Sequence, residues 1–300
     1  MKKGFSLLEL VIITFIGISL IALAAGLYGR SRGLSRTMVC MNNLRQMSMA
    51  VENYQSDWRH VPVNLYDLFP RYVKTKGLFE CPEDKTSVAT NLPNPNSYDN
   101  YYLSRSFAEE DTNKLFLFCP RHFSYGKGVA GFLSYATSIV DNMPVTWNDK
   151  PILPQPQQTG YSTGTFRFAD GSTAAVTSAA GGYEVRFFGS FRGPDGRIYS
   201  LLYLPENVPA GASGTVTLDH QGDSRFEIVT PAVIAGVSGT KYNISTQYLS
   251  NNQTITTITV LSGTVLAEER ETGSEEKITA SNNNWHSRIN KYRNRWKWYH

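Results

Sequence analysis

The chain has 300 residues, of which 41% are hydrophobic and 18% are charged. This composition supports packed cores in about two domains and excludes a wholly disordered protein. The formal net charge is +4, but the last nineteen residues, 282–300, carry five Lys/Arg and no Asp or Glu. The rest of the chain therefore sums to about −1, which excludes a generally basic protein that coats nucleic acid. The three cysteines include no CxxC pair, which excludes a zinc ribbon or a thioredoxin-type motif.

A long uncharged segment dominates the N-terminus. Residues 10–28 carry no charge, and as a helix they extend about 28 Å, close to the thickness of a bilayer core. One interpretation is a secretory signal peptide that is cleaved near residues 22–24, and a second is a plain signal anchor. A third gives Glu9 a specific role, since a carboxylate inside an apolar segment is costly and usually has a partner.

Helical periodicity continues beyond this apolar segment. We predict one helix over residues 5–57, with 5–28 as membrane anchor and filament core, followed by a globular head with loop insertions over 58–182. The outer half of the helix is expected to present an apolar stripe to the head. The stripe is formed by Leu34, Met38, Met41, Leu44, Val51, Tyr54 and Trp58.

The first residues carry a motif. The sequence GFSLLE at residues 4–9 resembles the cleavage motif of type IV prepilins and of the pseudopilins of type II secretion. The resemblance implies that residues 1–4 are a leader, that a prepilin peptidase cleaves between Gly4 and Phe5, and that Phe5 is N-methylated. It also implies that Glu9 acts in assembly, since pairing with the Phe5 amine of a neighbouring subunit lowers the cost of burying both charges.

The same resemblance implies partners and a location. The partners are the prepilin peptidase, other pilin or pseudopilin subunits and the bacterial inner membrane. The protein is expected to cross that membrane once, with its C-terminal domains in the periplasm, and to reach a filament or the cell surface after assembly.

A second resemblance covers the region after the membrane segment. CMNNLRQ at residues 40–46 and CP at 81–82 resemble a subgroup of bacterial pseudopilin-like proteins, many of which carry a His-x9-Asp-Gly element. FRFADGS at 166–172 resembles its Asp-Gly end and predicts a tight turn, but Gly160 stands where the His is expected. The apolar run at 115–120 predicts a buried strand.

The cysteines are expected to form a disulfide, because disulfides persist in the periplasm. Cys81–Cys119 is the preferred pair and Cys40–Cys81 the alternative. His122 follows Cys119 by three residues, which suggests a catalytic thiol, but a structural bridge is the preferred interpretation. No calcium-ligand spacing is present, and we predict no metal site and no cofactor.

From residue 183 the pattern changes. Short alternating apolar runs separated by Gly, Pro, Asn and Asp predict an all-β unit over 183–281. Residues 225–242 and 257–265 resemble a FecR-type domain, which implies a β-rich unit for protein contact or envelope sensing without catalytic residues. Gly236, Gly239 and Gly263 are predicted to serve turns or close backbone approaches.

The tail, residues 282–300, mixes cations with aromatic rings. Such a segment is expected to bind an anionic polysaccharide or DNA, or to lie on a membrane surface, while the alternative is a disordered solubilising end. The candidate binding residues are Arg288, Lys291, Arg293, Arg295, Trp296, Lys297 and Trp298.

These observations predict an α+β fold class: a long N-terminal transmembrane and amphipathic helix packed on a small pilin-like α+β head, followed by an all-β FecR-like domain. The predicted function is a non-catalytic pseudopilin or minor pilin subunit of a pilus-like filament, in a secretion or type IV pilus system. No H-E-x-x-H or P-loop motif is present and no His/Asp cluster is apparent, so no enzyme is predicted. The alternative is a membrane-anchored envelope sensor that acts through the FecR-like domain and the tail.

Overall fold

The structure is a computed structural model of the whole chain. It describes residues 7–59, 62, 65–83, 102–103, 115–119, 122, 127–132, 137–152, 160–193, 196–205, 208–222, 224–237, 239–249, 253–269, 274–282 and 285–290.

One long helix begins the described chain. Helix α1 spans Leu7–Trp58, where the sequence predicts a helix over 5–57, and its 52 residues extend about 78 Å. Its C-terminal half packs on the rest of the molecule. Two short 3₁₀ helices follow, at Leu65–Leu68 and at Lys76–Phe79.

The strands form two large sheets. In order across the first, ten-stranded sheet lie β1 (Tyr102–Leu103), β2 (Leu115–Cys119), β3 (Lys127–Phe132), β4 (Thr137–Asn142), β9 (Arg186–Arg192), β10 (Ile198–Tyr203), β12 (Arg225–Val229), β13 (Val233–Val237), β16 (Thr264–Glu269) and β17 (Glu275–Thr279). In order across the second, eight-stranded sheet lie β18 (Trp285–Asn290), β15 (Gln253–Ser262), β14 (Lys241–Tyr248), β11 (Ser213–Asp219), β8 (Thr173–Ala180), β7 (Gly164–Phe168), β5 (Val145–Trp147) and β6 (Lys150–Ile152).

The two sheets enclose the largest core. Apolar side chains from both sheets pack together there, including Phe166 of β7, Val216 of β11, Phe187 of β9 and Phe226 of β12. Burial alternates along β11, as expected for a strand with one face on a core. Every residue of β10 is buried, so the centre of the ten-stranded sheet is covered on both faces.

A separate core lies beneath the helix. Leu44, Met47 and Val51 of α1 pack there against the two 3₁₀ helices and against β2 and β3. We call this part, made of residues 33–83 and 115–132 as far as they are described, the head. The strand predicted at 115–120 is confirmed as β2.

The predicted fold class is wrong. Most elements are strands of two sheets, and the strands do not divide at residue 183 into a small head and a separate all-β domain. Strand β4 pairs with β9 in the first sheet, and β8 pairs with β11 in the second. The physical reason is that Val145, Phe166 and Phe168 share one core with residues beyond 183, so the segment before that residue is part of the same β-sandwich.

The predicted membrane anchor is also wrong. Within the described part of the chain, no helix combines the length and the apolar character that crossing a membrane requires. The transmembrane role of residues 5–28 and the single-pass location in the inner membrane are corrected accordingly.

The buried face of α1 differs from the predicted apolar stripe, mainly in the first half of that stripe. Leu34 and Met38 are exposed, and so is Trp58, whereas Gly33, Thr37 and Cys40 are buried and continue into Leu44, Met47 and Val51. Hydrophobicity alone mispredicts this face, because two of the buried residues are not strongly apolar: Cys40 belongs to the cluster described below, and Thr37 contacts its histidine.

Two of the three glycines singled out in the sequence serve turns. Gly239 and Gly263 have φ values of 60° and 82°, in the left-handed region that favours glycine. A Cβ atom at Gly263 would lie 2.9 Å from the carbonyl oxygen of Gly239, so the backbones approach closely there. Gly236 instead lies within β13, paired with Glu227 and Leu266.

Candidate functional site

Three cysteines and one histidine meet in the head. Cys40, Cys81, Cys119 and His122 each offer one ligand atom, and these atoms all lie within 4.8 Å of one another. Each of the four residues is at most 3% exposed. We call this group the Cys/His cluster.

Three separate segments bring the cluster together. Cys40 lies on the buried face of α1, Cys81 follows the second 3₁₀ helix, and Cys119 ends β2, with His122 three residues later. The buried Asn43, one turn after Cys40, donates a hydrogen bond to the carbonyl oxygen of Glu80 at 3.2 Å. Arg36 forms an ion pair with Glu83 at 3.3 Å. These two contacts fix the segment that carries Cys81 against the helix.

The imidazole of His122 is oriented by a second partner. Its Nε2 lies 3.7 Å from the sulfur of Cys81, and its Nδ1 lies 3.2 Å from Oγ1 of Thr37. The Thr37 hydroxyl donates to the carbonyl oxygen of Gly33 at 3.0 Å. Because that hydroxyl proton is already used, Thr37 Oγ1 accepts from Nδ1–H, which leaves the lone pair of Nε2 facing the sulfur of Cys81.

The thiols affect one another strongly. Hydrogen bonds from Cys119 and Cys40 hold the pKa of the Cys81 thiol far below its usual range, against the opposing effect of burial. Burial, together with the neighbouring sulfurs, holds the pKa of Cys119 well above its usual range. The two pKa shifts have opposite directions and reflect how closely the three sulfurs lie to one another.

The structure contains no disulfide between the cysteines for which one is predicted. All three cysteines are free thiols in the structure, so neither Cys81–Cys119 nor Cys40–Cys81 is bridged. The physical reason is that all three sulfurs converge on one histidine, which does not set any two of them apart as a pair.

The arrangement of the four side chains can hold a divalent ion. Burial of every member also separates the thiols from solvent and from any dissolved substrate, which does not suit a catalytic thiol.

Sequence reasoning missed this site. The absence of a CxxC pair excludes a zinc ribbon, but here the donors come from segments about 40 residues apart, and the fourth donor is a histidine. The local signal was the Cys119-x-x-His122 spacing, which places both side chains at the end of one strand.

The predicted processing site lies outside the described residues. This holds for Gly4 and Phe5, and for the side chain of Glu9, whose backbone is in α1. The helix that follows exposes large apolar side chains in its N-terminal half. They are Leu7, Leu8, Leu10, Val11, Ile12, Ile13, Phe15, Ile16, Ile18, Leu20, Ile21, Leu23 and Tyr28, all at least 50% exposed.

The basic tail is described only in part. Arg288 lies in β18, opposite Ile255 of β15, so the beginning of the tail forms the edge of the eight-stranded sheet. Lys291, Arg293, Arg295, Trp296, Lys297 and Trp298 lie outside the described residues. Binding of polyanions through these residues stays a prediction.

The Asp-Gly element forms the predicted tight turn. It joins β7 to β8, with Gly171 at φ 88° and its N–H donating to the carbonyl oxygen of Phe168 at 3.0 Å. His220, which sequence reasoning did not single out, lies against this turn, with Nδ1 2.9 Å from Oγ of Ser172. Nε2 of the same ring lies 2.8 Å from the carbonyl oxygen of Ser224, and the Ser224 hydroxyl donates to Asp170.

This network joins two turns and does not form a catalytic triad. The carboxylate of Asp170 accepts hydrogen bonds from Ser172 at 2.9 and 3.0 Å and from Ser224, so it orients serines and not the imidazole. Ser172 and His220 are both buried.

His220 predicts a pH dependence of stability. Burial lowers the pKa of His220, with Arg225 acting in the same direction, while the Ser224 carbonyl and Asp170 oppose the shift. The unfolded chain therefore takes up a proton more readily than the folded one. This contribution to stability is complete above about pH 6.5 and is lost as the pH falls through that value toward the lowered pKa of the folded state.

We expect His220→Gln to remove this dependence. The difference in the free energy of unfolding between the natural protein and the variant should shrink between about pH 7.5 and about pH 5, by about 1.4 kcal/mol for each unit of pKa shift. Urea unfolding at both pH values measures the difference. A difference that stays constant or grows on acidification would show that His220 is not held neutral by burial.

Comparisons with known proteins give limited similarity. Residues 30–76 match the model of a family described as "Protein of unknown function (DUF1559)", which is a pilin-like, prepilin-associated family of bacteria. This segment covers the head half of α1 and continues through the first 3₁₀ helix. No curated protein matches the chain.

Two crystal structures of a candidate anti-sigma factor from Parabacteroides distasonis are similar to part of the chain at 14% identity. One, at 1.65 Å resolution, aligns with 44% of this chain and 60% of its own, at a TM-score of 0.30. The other, at 2.50 Å, aligns with 49% and 60%, at a TM-score of 0.28. The chain thus spans less than two thirds of the length of either.

Proposed function

We propose that the protein is a non-catalytic pilin-like subunit that assembles into a filament through the N-terminal half of α1, packed against the same segment of other copies. The observation that carries this proposal is the exposed apolar surface of residues 7–28. Each large apolar side chain that becomes fully buried contributes about 1.5–3 kcal/mol, so a surface of this size has a strong tendency to be covered.

The distribution of these side chains indicates what covers them. Successive helical residues turn by about 100°, and exposed side chains occur at nearly every position from Leu7 to Leu23. The apolar surface therefore surrounds the helix and does not form a stripe on one face. A single partner helix covers only one side, whereas a bundle of identical helices covers all of them. A filament core built from many copies provides such a bundle.

Two sequence features support this assignment. The motif at residues 4–9 resembles the prepilin cleavage site, which predicts a mature subunit that begins at Phe5. The match of residues 30–76 covers the C-terminal half of α1 and continues through the first 3₁₀ helix, in the part of the chain that contributes to the core of the head. In the assembled bundle Glu9 would be surrounded by apolar side chains, and pairing with the Phe5 amine of a neighbouring copy would offset that cost.

The alternative, an envelope sensor that acts through the β-rich part and the tail, stays a prediction. Removing residues 183–300 would not test it cleanly. The deletion would separate β4 from β9 and β8 from β11, and would open the core between the two sheets.

A charge on the exposed helix tests the assembly. Ile16 is 52% exposed, and its replacement in Ile16→Asp should shift the full-length protein from large assemblies to monomers, because a buried unpaired carboxylate is costly. Asn42→Asp places the same charge at an exposed position in the head half of α1 and should assemble normally. Analytical ultracentrifugation and negative-stain microscopy compare the three proteins.

Two outcomes would contradict the proposal. Assembly of Ile16→Asp equal to that of the natural protein would show that the exposed helix surface plays no part. A natural protein that is monomeric under all conditions would exclude the filament.

The mass of the protein from its own host tests the processing step. N-methylated Phe5 at the N-terminus is expected, and an intact Met1 would exclude cleavage by a prepilin peptidase.

A further inference from the structure

We propose that the Cys/His cluster is a structural zinc site, in which Cys40, Cys81, Cys119 and Nε2 of His122 bind one Zn²⁺ and fasten α1 to the other segments of the head. The inference is independent of the filament proposal, because it rests only on residues inside the head.

The geometry fits a tetrahedral ion. Zinc bound at about 2.3 Å from sulfur and about 2.0–2.1 Å from nitrogen places its ligand atoms about 3.5–3.8 Å apart. The distance from Cys81 Sγ to His122 Nε2 is 3.7 Å, and all four ligand atoms lie within 4.8 Å of one another. Small adjustments of side-chain torsions bring the remaining distances into range.

The chemistry of the donors selects the metal. Three thiolates and one imidazole form a soft, nitrogen-containing set that suits zinc and does not suit magnesium or calcium, which prefer oxygen ligands. Four protein ligands and complete burial describe a closed structural site, without the open position that a catalytic zinc requires.

The surroundings of His122 provide a second, independent observation. Metal-bound histidines usually donate their other N–H to a fixed acceptor, which sets the tautomer. Thr37 Oγ1 is that acceptor here, and it is itself held by Gly33. A buried imidazole nitrogen also needs a partner, and a sulfur at 3.7 Å is a weak one. A zinc ion would satisfy both Nε2 and the three sulfurs.

The position of the site indicates its role. It joins the helix, the segment after the second 3₁₀ helix and the end of β2, which are distant in the chain. Among the described residues the core of the head is about half the size of the core between the sheets. Small cores are commonly reinforced by a disulfide or a metal, and zinc fills that role here in place of the predicted disulfide.

Zinc binding to the cluster releases protons from the cysteine thiols. Each of the three thiols gives its proton to solvent when its sulfur binds zinc, His122 binds in its neutral form, and no oxidant or reductant takes part. Any thiol that is already ionised releases no proton, so the number released is at most three.

The first test uses the natural full-length protein. Purified without chelator, it should contain one zinc per chain by elemental analysis. After replacement by Co²⁺ it should show the absorption of tetrahedral cobalt with thiolate charge transfer. The three thiols should resist alkylation until a chelator removes the metal.

Variants separate ligation from packing. His122→Cys retains four donors and should still bind one zinc per chain tightly, whereas His122→Ala keeps only three protein ligands and should bind zinc much more weakly. Thr37→Val leaves all four ligands in place but removes the partner of Nδ1, and should weaken zinc binding by about 10- to 100-fold. A role in core packing alone would not predict that His122→Cys binds the metal more tightly than His122→Ala does.

Two results would overturn the inference. One is a metal-free protein with a Cys81–Cys119 disulfide, two hydrogens lighter and with one reactive thiol. The other is a reduced protein that takes up neither zinc nor cobalt. If His122→Ala does not fold, the cobalt spectrum of the natural protein still decides, because it reports the ligands directly.

Discussion

Removing zinc is expected to release the head half of α1 while the β-sandwich stays folded. At a free zinc concentration a thousandfold above the dissociation constant, a site that exists only in the folded head stabilises it by about 4 kcal/mol. Chelation removes this contribution. The amides of α1 between Cys40 and Val51 should then exchange with solvent about a thousandfold faster, if exchange follows local opening.

The two cores make this effect local. Cys40, Cys81 and Cys119 belong to the core beneath the helix, whereas the residues between the two sheets form a different cluster. Amides of β11 and β14 therefore provide an internal control and should be unchanged in the same hydrogen-exchange experiment. Zinc should restore the protection of α1 and Mg²⁺ should not. Equal exchange of α1 with and without chelator would contradict the expected result.

Phe166→Ala is expected to lower the free energy of unfolding by about 3–5 kcal/mol. Phe166 is fully buried, and its ring lies 4.5 Å from Trp147, 5.0 Å from Tyr161 and 6.4 Å from Phe187, measured between ring centroids. Phe187 belongs to the opposite sheet, so the substitution leaves a cavity where the two sheets meet. Urea unfolding measures the loss.

The neighbouring residue supplies the matched control. Arg167 follows Phe166 in β7 and points to the opposite face, where it forms an exposed ion pair with Asp149 at 3.2 Å. Arg167→Ala should cost less than about 1 kcal/mol, because exposed ion pairs contribute little. A loss of similar size for both variants would show that Phe166 does not fill the core between the sheets.

The strands after residue 183 could be predicted from the sequence, but their arrangement could not. Alternation of apolar and polar residues marks strands that cover one side of a core, as in β11 and β15. The pattern gives no information on neighbours. It does not predict that β10 and β12 run parallel, or that β4 pairs with β9 across about 50 residues. These pairings depend on packing between distant segments, which joined two predicted domains into one sandwich.

The helix illustrates the same limit. Its C-terminal end is predicted within one residue, because a continuous helical period needs only local information. The buried face is not, since Thr37 and Cys40 count as polar or neutral and yet are buried. Their burial follows from His122, which lies on a distant segment. The Cys/His cluster was missed for the same reason, because only the fold brings its three segments together.

The most direct test of the zinc site is X-ray absorption at the zinc edge of the full-length protein. We expect a first shell of three sulfur atoms at about 2.3 Å and one nitrogen at about 2.0–2.1 Å, with one sulfur fewer and one light atom more in Cys119→Ser. A shell made only of oxygen and nitrogen would place the metal elsewhere on the surface. That result would contradict the assignment of Cys40, Cys81, Cys119 and His122 as its ligands.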